Sequence, residues 1–239
     1  SPGDAGSAVG AAQYLYYVHH KNSKNTSDNT RLIQENVYVG PSYDNKEIKS
    51  FLDSKNISYE YFEGISLLQK TAQLIADGSV VGWYQGKMEW GPRALGNRSI
   101  LADPRRADMK DILNAKIKHR ESFRPFAPSI MEEFASEYFE IEIPSPYMLI
   151  VAPVKKPKEI PAVTHVDGTG RLQTVSKESN ELYYNLINEF YKITGTPVII
   201  NTSMNVMGEP IVNTPEQAYQ MIVKTDMDYL VMGNFLVKK

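Results

Sequence analysis

Cysteine is absent from this chain of 239 residues, which excludes a disulfide scaffold, a cysteine-based metal site and a thiol nucleophile. The sequence also lacks the run of about 18 apolar residues that a membrane-spanning helix requires. No basic segment followed by an apolar one opens the chain. We therefore expect a cytoplasmic location and no membrane partner. An excess of positive charge is missing as well: 26 Lys and Arg face 28 Asp and Glu. With a formal net charge of −2, a nucleic-acid partner is not expected.

What the sequence has is the composition of a folded domain. Apolar residues make up 42% and charged residues 23%, and at this length roughly 70% of the unfolded chain's surface can be buried. Apolar spacing predicts helices over residues 43–55, 66–76, 103–118 and 182–191, with others beginning at 129 and 214. Short apolar runs predict strands over residues 37–40, 79–84, 147–151, 197–201 and 229–232. This alternation predicts an α/β fold whose sheet is mostly covered.

Local signals mark the starts of three predicted helices. Asp103 and Thr214 each precede a proline, the arrangement of an N-cap followed by a first helical residue. Ser129 and Glu132 have the spacing of a capping box. In the helix over 103–118, the residues expected to point inward are Met109, Ile112, Leu113 and Ile117.

A polar, turn-forming segment at residues 20–30 (HKNSKNTSDNT) indicates a linker. Before it, residues 7–18 have the pattern of a small-residue helix that packs closely on a neighbour. We therefore place a domain boundary in the linker, with a short N-terminal region at 1–24 and the main domain at 25–239.

Residues 86–99 (GKMEWGPRALGNRS) are the first of three stretches whose polar residues and turn-forming residues indicate more than a structural connection. Three glycines and one proline indicate a shaped loop, because glycine adopts backbone angles that other residues avoid. Such a loop can bring amide groups and arginine side chains to one anion. The alternative is that the loop simply turns a corner between two elements.

Residues 116–128 (KIKHRESFRPFAP) are the second stretch. Between Lys87 and Arg124 there are ten Lys or Arg against five Asp or Glu, a local charge of +5 in a chain of −2. This local excess suits a polyphosphate better than a long nucleic-acid groove. The alternative is a solvated helix face. Arg124 differs, because Phe123, Pro125 and Phe126 predict its partial burial, and a buried guanidinium usually needs an anionic partner.

The third stretch has two parts, residues 164–173 and 201–205, each just after a predicted strand, where open α/β sheets tend to bind ligands. Taken singly, these residues have structural explanations. His165 fits a hydrogen-bonded core histidine, and Asp167 fits a loop-closing ion pair with Arg171. Asn201 and Ser203 fit the capping of a turn. Taken together, they favour a site.

Four ordered motifs carry a resemblance to a known family. They are KMEWGPRALGNRSILADPR, NAKIKHRESFRPFAPSI, HVDGTGRLQTV and NTSMNVMGEPIVNTPEQA. With these motifs the chain resembles, over nearly its whole length, the C-terminal part of the O-carbamoyltransferases, which carbamoylate nodulation factors and several antibiotics. The resemblance implies a YrdC-like domain, with a twisted mixed sheet flanked by helices. It also implies that residues 1–24 are the remnant of an actin/hexokinase-like domain.

The resemblance also implies an activity. In the family, this domain joins carbamoyl phosphate and ATP into carbamoyl-adenylate and releases pyrophosphate, with Mg²⁺ expected on the ATP phosphates. A separate N-terminal domain holds iron or a similar divalent metal and passes the carbamoyl group to a hydroxyl acceptor. Two alternatives remain, an RNA-binding YrdC-like module without catalysis and a domain that only docks a partner.

Carried over by motif, the resemblance implies roles for individual residues. The expected catalytic groups are Lys118, Arg124 and Arg171. The expected substrate- and nucleotide-binding groups are Arg93, Arg98, Arg120, His165, Asp167, Asn201, Ser203 and Asn205. Asp4 is expected to be a metal ligand only together with the N-terminal domain, and its alternative role is to cap the helix that follows.

Overall fold

The computed structural model describes residues 4–20 and 36–239. The α-helices in this part of the chain are α1 (Asp4–Leu15), α2 (Asn45–Ser54), α3 (Ile65–Ala76), α4 (Met109–Ile112), α5 (Ala135–Tyr138), α6 (Glu181–Thr194) and α7 (Pro215–Lys224). The strands are β1 (Glu60–Tyr61), β2 (Val81–Tyr84), β3 (Arg98–Ala102), β4 (Ala127–Met131), β5 (Val151–Pro153), β6 (Thr169–Arg171), β7 (Gln173–Val175), β8 (Val198–Ser203), β9 (Tyr229–Met232) and β10 (Phe235–Lys238). Segments Tyr16–His20 and Leu113–Lys118 are π-helical, and Glu132–Phe134 and Pro161–Val163 are 3₁₀ turns. Within these residues, no helix combines the length and apolar character needed to cross a membrane.

Eight strands form one mixed sheet in the order β1-β10-β9-β2-β3-β8-β4-β7. The pairs β2–β9 and β4–β7 are parallel, and the other neighbouring pairs are antiparallel. Strands β5 and β6 form a separate antiparallel pair. This architecture confirms the predicted α/β fold with a mixed sheet flanked by helices.

Helices cover both faces of the sheet and create two apolar cores. On one face, α2, α7 and the segment from Met109 to Lys118 bury side chains such as Ile48 and Met221. On the other face, α3 and α6 bury Ile75 and Phe190. Because both faces are covered, polar groups that reach a ligand have to lie at strand ends and in loops.

Several predicted elements are confirmed at close to their predicted bounds: α2, α3, α6, α7, β2, β8 and β9. Helix α7 begins as its sequence indicates. Thr214 caps it, Pro215 is its first residue, and Gln217 completes a reciprocal capping box with Thr214. Helix α6 ends at Gly195, which has a φ of 71° and so adopts the left-handed conformation that glycine tolerates.

The helix predicted over residues 103–118 begins later than expected. The Asp103 carboxylate accepts from the backbone amide of Arg105 at 2.9 Å and pairs with its guanidinium at 2.6 Å, but residues 104–105 and 107–108 form turns rather than a helix. The helix begins instead at Met109 as α4 and continues as a π-helical segment to Lys118. Its inward side was predicted correctly, since Met109, Leu113 and Ile117 are buried and Ile112 is partly buried.

The capping box predicted at Ser129 and Glu132 is wrong. Ser129 lies inside strand β4, and its hydroxyl donates to Oε1 of Gln173 at 2.7 Å. The side chain that was expected to cap a helix therefore links strand β4 to β7.

Two predicted strands are reduced in the structure. The run at 37–40 contributes one bridge, between Tyr38 and Glu89, rather than a strand. The run at 147–151 is observed as β5, which begins only at Val151. In both places the apolar pattern is real, but few backbone pairs form.

The domain boundary predicted between residues 24 and 25 lies outside the described residues, as do the structures of residues 1–3 and 21–35. The helix predicted over 7–18 is observed as α1 followed by the π-helical Tyr16–His20. Asp4 is the first residue of α1, and its side chain is outside the described part. The N-terminal remnant and the metal role of Asp4 stay predictions.

Candidate functional site

Four positive side chains from separate parts of the chain lie near one another. Arg93 is in the loop between β2 and β3 (residues 85–97), which we call the arginine loop. Lys118 ends the π-helical segment, Arg120 follows it, and Arg171 ends β6. Burial lowers the pKa of Arg171, and repulsion from Arg93 and Arg120 lowers it further. Arg93 and Arg120 therefore each lie within electrostatic reach of Arg171. We call these four side chains the cation cluster.

The cation cluster has no acidic partner in the described chain. None of the ion pairs formed among these residues involves Arg93, Lys118, Arg120 or Arg171. The Nε atom of Arg171 is buried and has no hydrogen-bond partner among them. Positive charges gathered without neutralisation repel one another, so an anion placed between them would be strongly attracted.

Lys118 is held where strand β8 ends. Only 3% of the residue is exposed, and its Nζ donates to the backbone oxygens of Ser203 at 2.5 Å and Asn205 at 3.0 Å. The same ammonium lies 2.9 Å from Oδ1 of Asn205 and 3.3 Å from Oγ of Ser203. Three residues that were predicted for the site therefore meet. Burial, and then repulsion from Arg120, lowers the pKa of Lys118 to about 7.

Arg120 is held in place by uncharged partners. Its Nε donates to Oδ1 of Asn114 at 2.7 Å, and its guanidinium lies 4.8 Å from the ring centre of Phe126. Burial is the main cause that lowers the pKa of Arg120, and Arg124 adds repulsion. Attraction to Glu121 partly opposes this lowering, but Arg120 forms no ion pair among the described residues.

Arg124 is placed differently from the expectation. Its side chain is 46% exposed and pairs with Glu121 at 2.9 Å. Phe123, which was expected to help bury it, is 72% exposed, whereas Phe126 turns inward and supports Arg120. The predicted partial burial of Arg124 is wrong, and the residue lies at the rim of the cation cluster with its own acidic partner.

Arg98 lies under the arginine loop, fully buried. Its guanidinium stacks 3.8 Å from the ring centre of Tyr84. Its Nη atoms donate to the backbone oxygens of Pro41, Gln85, Gly86 and Asn97. The structure thus occupies this side chain with the carbonyl groups of the loop, and its predicted contact with nucleotide stays a prediction.

Asn201 also lies beneath the arginine loop. It is 1% exposed, and its Nδ2 donates to Ala94 O at 3.2 Å and to Oε1 of Gln173 at 2.9 Å. These bonds use both hydrogens of the amide. The described contacts of Asn201 are therefore those of a residue that fastens the loop to the sheet.

His165 and Asp167 shape the turn that leads into β6. Asp167 Oδ1 accepts from the backbone amide of Thr169 at 3.0 Å and from its hydroxyl at 2.7 Å, and His165 Nδ1 lies 3.2 Å from that hydroxyl. The ion pair considered between Asp167 and Arg171 is not among those of the described residues. Burial lowers the pKa of His165, Asp167 opposes this shift and Arg171 adds to it, so the imidazole lies within electrostatic reach of Arg171.

Sequence reasoning missed Glu89, which is 5% exposed inside the arginine loop. Its Oε1 accepts from the backbone amides of Leu95 and Asn97 at 2.7 Å each, and from Arg98 at 3.3 Å. The signal available was a lone acidic residue between Met88 and Trp90, directly before a glycine-rich turn.

The described residues do not fit a protein-held metal site. Among the described side chains, which are those of residues 6–18 and 36–239, no group of three His, Asp or Glu could hold a metal ion. Two acidic side chains of the neighbouring loops are already engaged, Glu121 with Arg124 and Asp167 with Thr169. The predicted Mg²⁺ and the metal of the N-terminal domain stay predictions.

Residues 72–239 match the protein family described as Carbamoyltransferase C-terminus. Nodulation protein NolNO of Sinorhizobium fredii is 46% identical over 99% of this chain and 35% of its own length. Nodulation protein NolO of Bradyrhizobium diazoefficiens is 44% identical over 99% of this chain and 43% of its own length. The chain therefore spans less than half of these relatives.

A solved structure shows the same fold at low sequence identity. The crystal structure of P. abyssi Sua5 complexed with L-threonine matches with a TM-score of 0.52 and 17% identity. The match covers 73% of this chain and 48% of that chain. This likeness confirms the predicted YrdC-like fold.

Proposed function

Because the chain belongs to the carbamoyltransferase C-terminal family, we propose that its cation cluster binds carbamoyl phosphate and ATP and promotes formation of carbamoyl-adenylate. Transfer of the carbamoyl group to a hydroxyl acceptor would then be the task of another part of a longer protein.

The observation that carries this proposal is the composition of the cation cluster. Arg93, Lys118, Arg120 and Arg171 come from separate segments, influence one another electrostatically and share no acidic partner within the described residues. A purely structural arginine is normally neutralised or exposed, because an isolated buried charge is expensive. An arrangement that keeps several cations close together is favourable once a polyanion lies among them.

The balanced reaction explains why cations are needed. Water displaces phosphate from the carbamoyl carbon of carbamoyl phosphate and leaves carbamate. A carbamate oxygen then attacks the α-phosphorus of ATP, the bond to pyrophosphate breaks, and carbamoyl-adenylate forms. Two anions have to approach each other, and negative charge moves onto the departing pyrophosphate. Fixed positive charges offset both effects, so positioning and electrostatic stabilisation are the main work of the protein.

The arginine and lysine side chains of the cluster bind phosphate oxygens in different ways. Arg93 and Arg171 present flat, two-point donors that suit phosphate oxygens. Lys118 acts as a point charge whose direction is set by Ser203 and Asn205. Arg120 lies close enough to Arg171 and to Lys118 to lower the pKa of both.

The proposal is tested by calorimetry with ATP and by pyrophosphate release in the presence and absence of carbamoyl phosphate. We expect heat on addition of ATP, and pyrophosphate release that depends on both substrates. Arg171→Ala should weaken ATP binding more than about tenfold, the loss expected for a charge-assisted hydrogen bond.

Arg106→Ala is the matched control, because Arg106 is partly exposed and already pairs with Asp108 at 2.7 Å. Equal affinity of the two variants would contradict the proposal. No heat with ATP from a folded sample, together with steeply salt-dependent binding to duplex RNA, would favour the RNA-binding alternative instead.

A further inference from the structure

Glu89 is a buried acidic residue whose side chain binds backbone amides at the end of the arginine loop and at the start of β3. Its Oε1 accepts from the amides of Leu95 and Asn97, each at 2.7 Å, and from Arg98 at 3.3 Å. One carboxylate oxygen therefore gathers the backbone that directly follows Arg93. Several amides directed at one oxygen define the path of a loop more strictly than one hydrogen bond does.

The carbonyl groups of the same segment are held from the opposite side. Ala94 O accepts from Asn201 at 3.2 Å, and Leu95 O accepts from Gln173 at 2.9 Å and from the hydroxyl of Tyr38 at 2.9 Å. Leu95 is thus held through both its amide and its carbonyl, and Ala94 is held through its carbonyl. Arg93 itself makes no hydrogen bond or ion pair that the structure records within the described chain.

Holding the loop with a buried carboxylate has a cost. Burial raises the pKa of Glu89, although the amide hydrogen bonds and Arg98 oppose that effect. Its Oε2 is also buried without a hydrogen-bond partner among the described residues. A loop that only connected two strands would not need such a group, because backbone bonds and turn residues are sufficient for that purpose.

We propose that Glu89 is a positioning residue: it fixes the backbone of the arginine loop so that the free guanidinium of Arg93 meets the bound anion. This inference rests on the proposed function, because the anion is the phosphate chain of ATP or the pyrophosphate that leaves it. Glu89 does not touch the ligand and acts through Arg93.

A double-mutant cycle on Glu89 and Arg93 tests the inference, with binding of ATP and of inorganic pyrophosphate measured by calorimetry. We expect Arg93→Ala and Glu89→Gln each to weaken binding about tenfold, the effect of one charge-assisted hydrogen bond. The double variant should bind no more weakly than Arg93→Ala alone, because the loop then has no guanidinium left to position. A general loss of structure would instead add to the effect of Arg93→Ala.

Glu189→Gln is the matched control. Glu189 is 6% exposed on α6, and its recorded partner is Lys192 at 2.5 Å. Its neutralisation should leave binding unchanged. If Glu89→Gln does not fold, Glu89→Asp replaces it in the cycle, since the shorter carboxylate keeps its charge but cannot reach the same amides.

The outcomes separate the inference from the proposed function. Weak binding by Arg93→Ala with normal binding by the Glu89 variant would overturn the inference and leave the proposed function standing. Additive losses in the double variant would also overturn it, because Glu89 would then act independently of Arg93. Normal binding by Arg93→Ala would overturn the inference together with the proposed role of Arg93, whereas the Arg171→Ala measurement tests the proposed function separately.

Discussion

Lys118 and Ser203 lie 85 residues apart in the chain, yet the ammonium of the first donates to both the backbone oxygen and the hydroxyl of the second. The contact joins the end of the π-helical segment to the end of β8. It brings the most buried member of the cation cluster to the end of an interior strand, and ligands of open α/β folds bind at strand ends.

Anion binding should be linked to proton uptake by Lys118. Its pKa is about 7 without ligand, because of burial and the nearby Arg120. A bound anion favours the charged ammonium and raises that pKa, so affinity for ATP should fall as pH rises above about 7. Calorimetry at pH 8 in two buffers with different ionisation enthalpies should show uptake of up to one proton.

Lys118→Met is the comparison for this measurement, since it removes the titrating group and keeps a long side chain. The variant should bind ATP more weakly and lose most of the dependence on buffer. A wild-type enthalpy that is the same in both buffers would contradict the prediction.

The same pKa predicts how stability changes with pH. The lowered pKa means that folded Lys118 releases its proton near pH 7, whereas in the unfolded chain it keeps the proton until about pH 10. The unfolded state therefore binds more protons in this window, and stability rises with pH. The free energy of unfolding should rise more steeply for the wild type than for Lys118→Met, by up to about 1.4 kcal/mol per pH unit.

Urea denaturation at several pH values between 7 and 9.5 measures this difference, and other titrating groups cancel between the two proteins. Parallel pH profiles for wild type and variant would show that Lys118 keeps its proton in the folded state.

Arg124 and Arg120 should differ sharply when replaced by alanine. Arg124 is exposed and already paired with Glu121, so its loss should weaken ATP binding by less than about threefold. Arg120 forms no ion pair in the described chain, and its loss should weaken binding about tenfold or more. Calorimetry on both variants decides the matter, and a larger effect at Arg124 would mean that this side chain moves inward when ligand binds.

Gly96 should be intolerant of any side chain. Its φ is 109°, and a Cβ atom there would lie 2.3 Å from Cδ1 of Tyr183. Gly96→Ala should lower the free energy of unfolding by about 1–3 kcal/mol, the range for forced overpacking. Gly168→Ala is the control, because Gly168 has a φ of 79° but open space around it. Urea denaturation should show a clearly smaller loss of unfolding free energy for Gly168→Ala than for Gly96→Ala. Equal losses would mean that the strain of a positive φ, and not the contact with Tyr183, causes the destabilisation.

Helices with an apolar face and clear caps could be predicted from the sequence. Thr214 with Gln217, and Gly195 after α6, are local signals that depend on few distant contacts. Strands β3 and β4 were missed because polar residues and a proline interrupt the apolar pattern that is typical of a buried strand. The buried residue Arg98 begins β3, and Pro128 and Ser129 lie inside β4. Their side chains are satisfied by partners far away in the sequence, which no local pattern reveals.

The gathering of Arg93, Lys118 and Arg171 could be anticipated from the motifs that carry the family resemblance and from the local excess of positive charge. The inward turn of Arg98 could not be anticipated. A guanidinium bound by carbonyl groups and one bound by a ligand have the same sequence signature. The difference lies in the folded path of the arginine loop.

The π-helical segment before Lys118 has a consequence for tolerated changes in chain length. A π turn holds about one residue more than an α turn, so a one-residue deletion between Leu113 and Lys118 would allow ordinary α winding. Because a π turn and an α turn each complete one rotation, the residues beyond the deletion would keep nearly the same direction about the helix axis. The ammonium of Lys118 would still face β8, so this segment should accept the loss of one residue and keep the contact with Ser203.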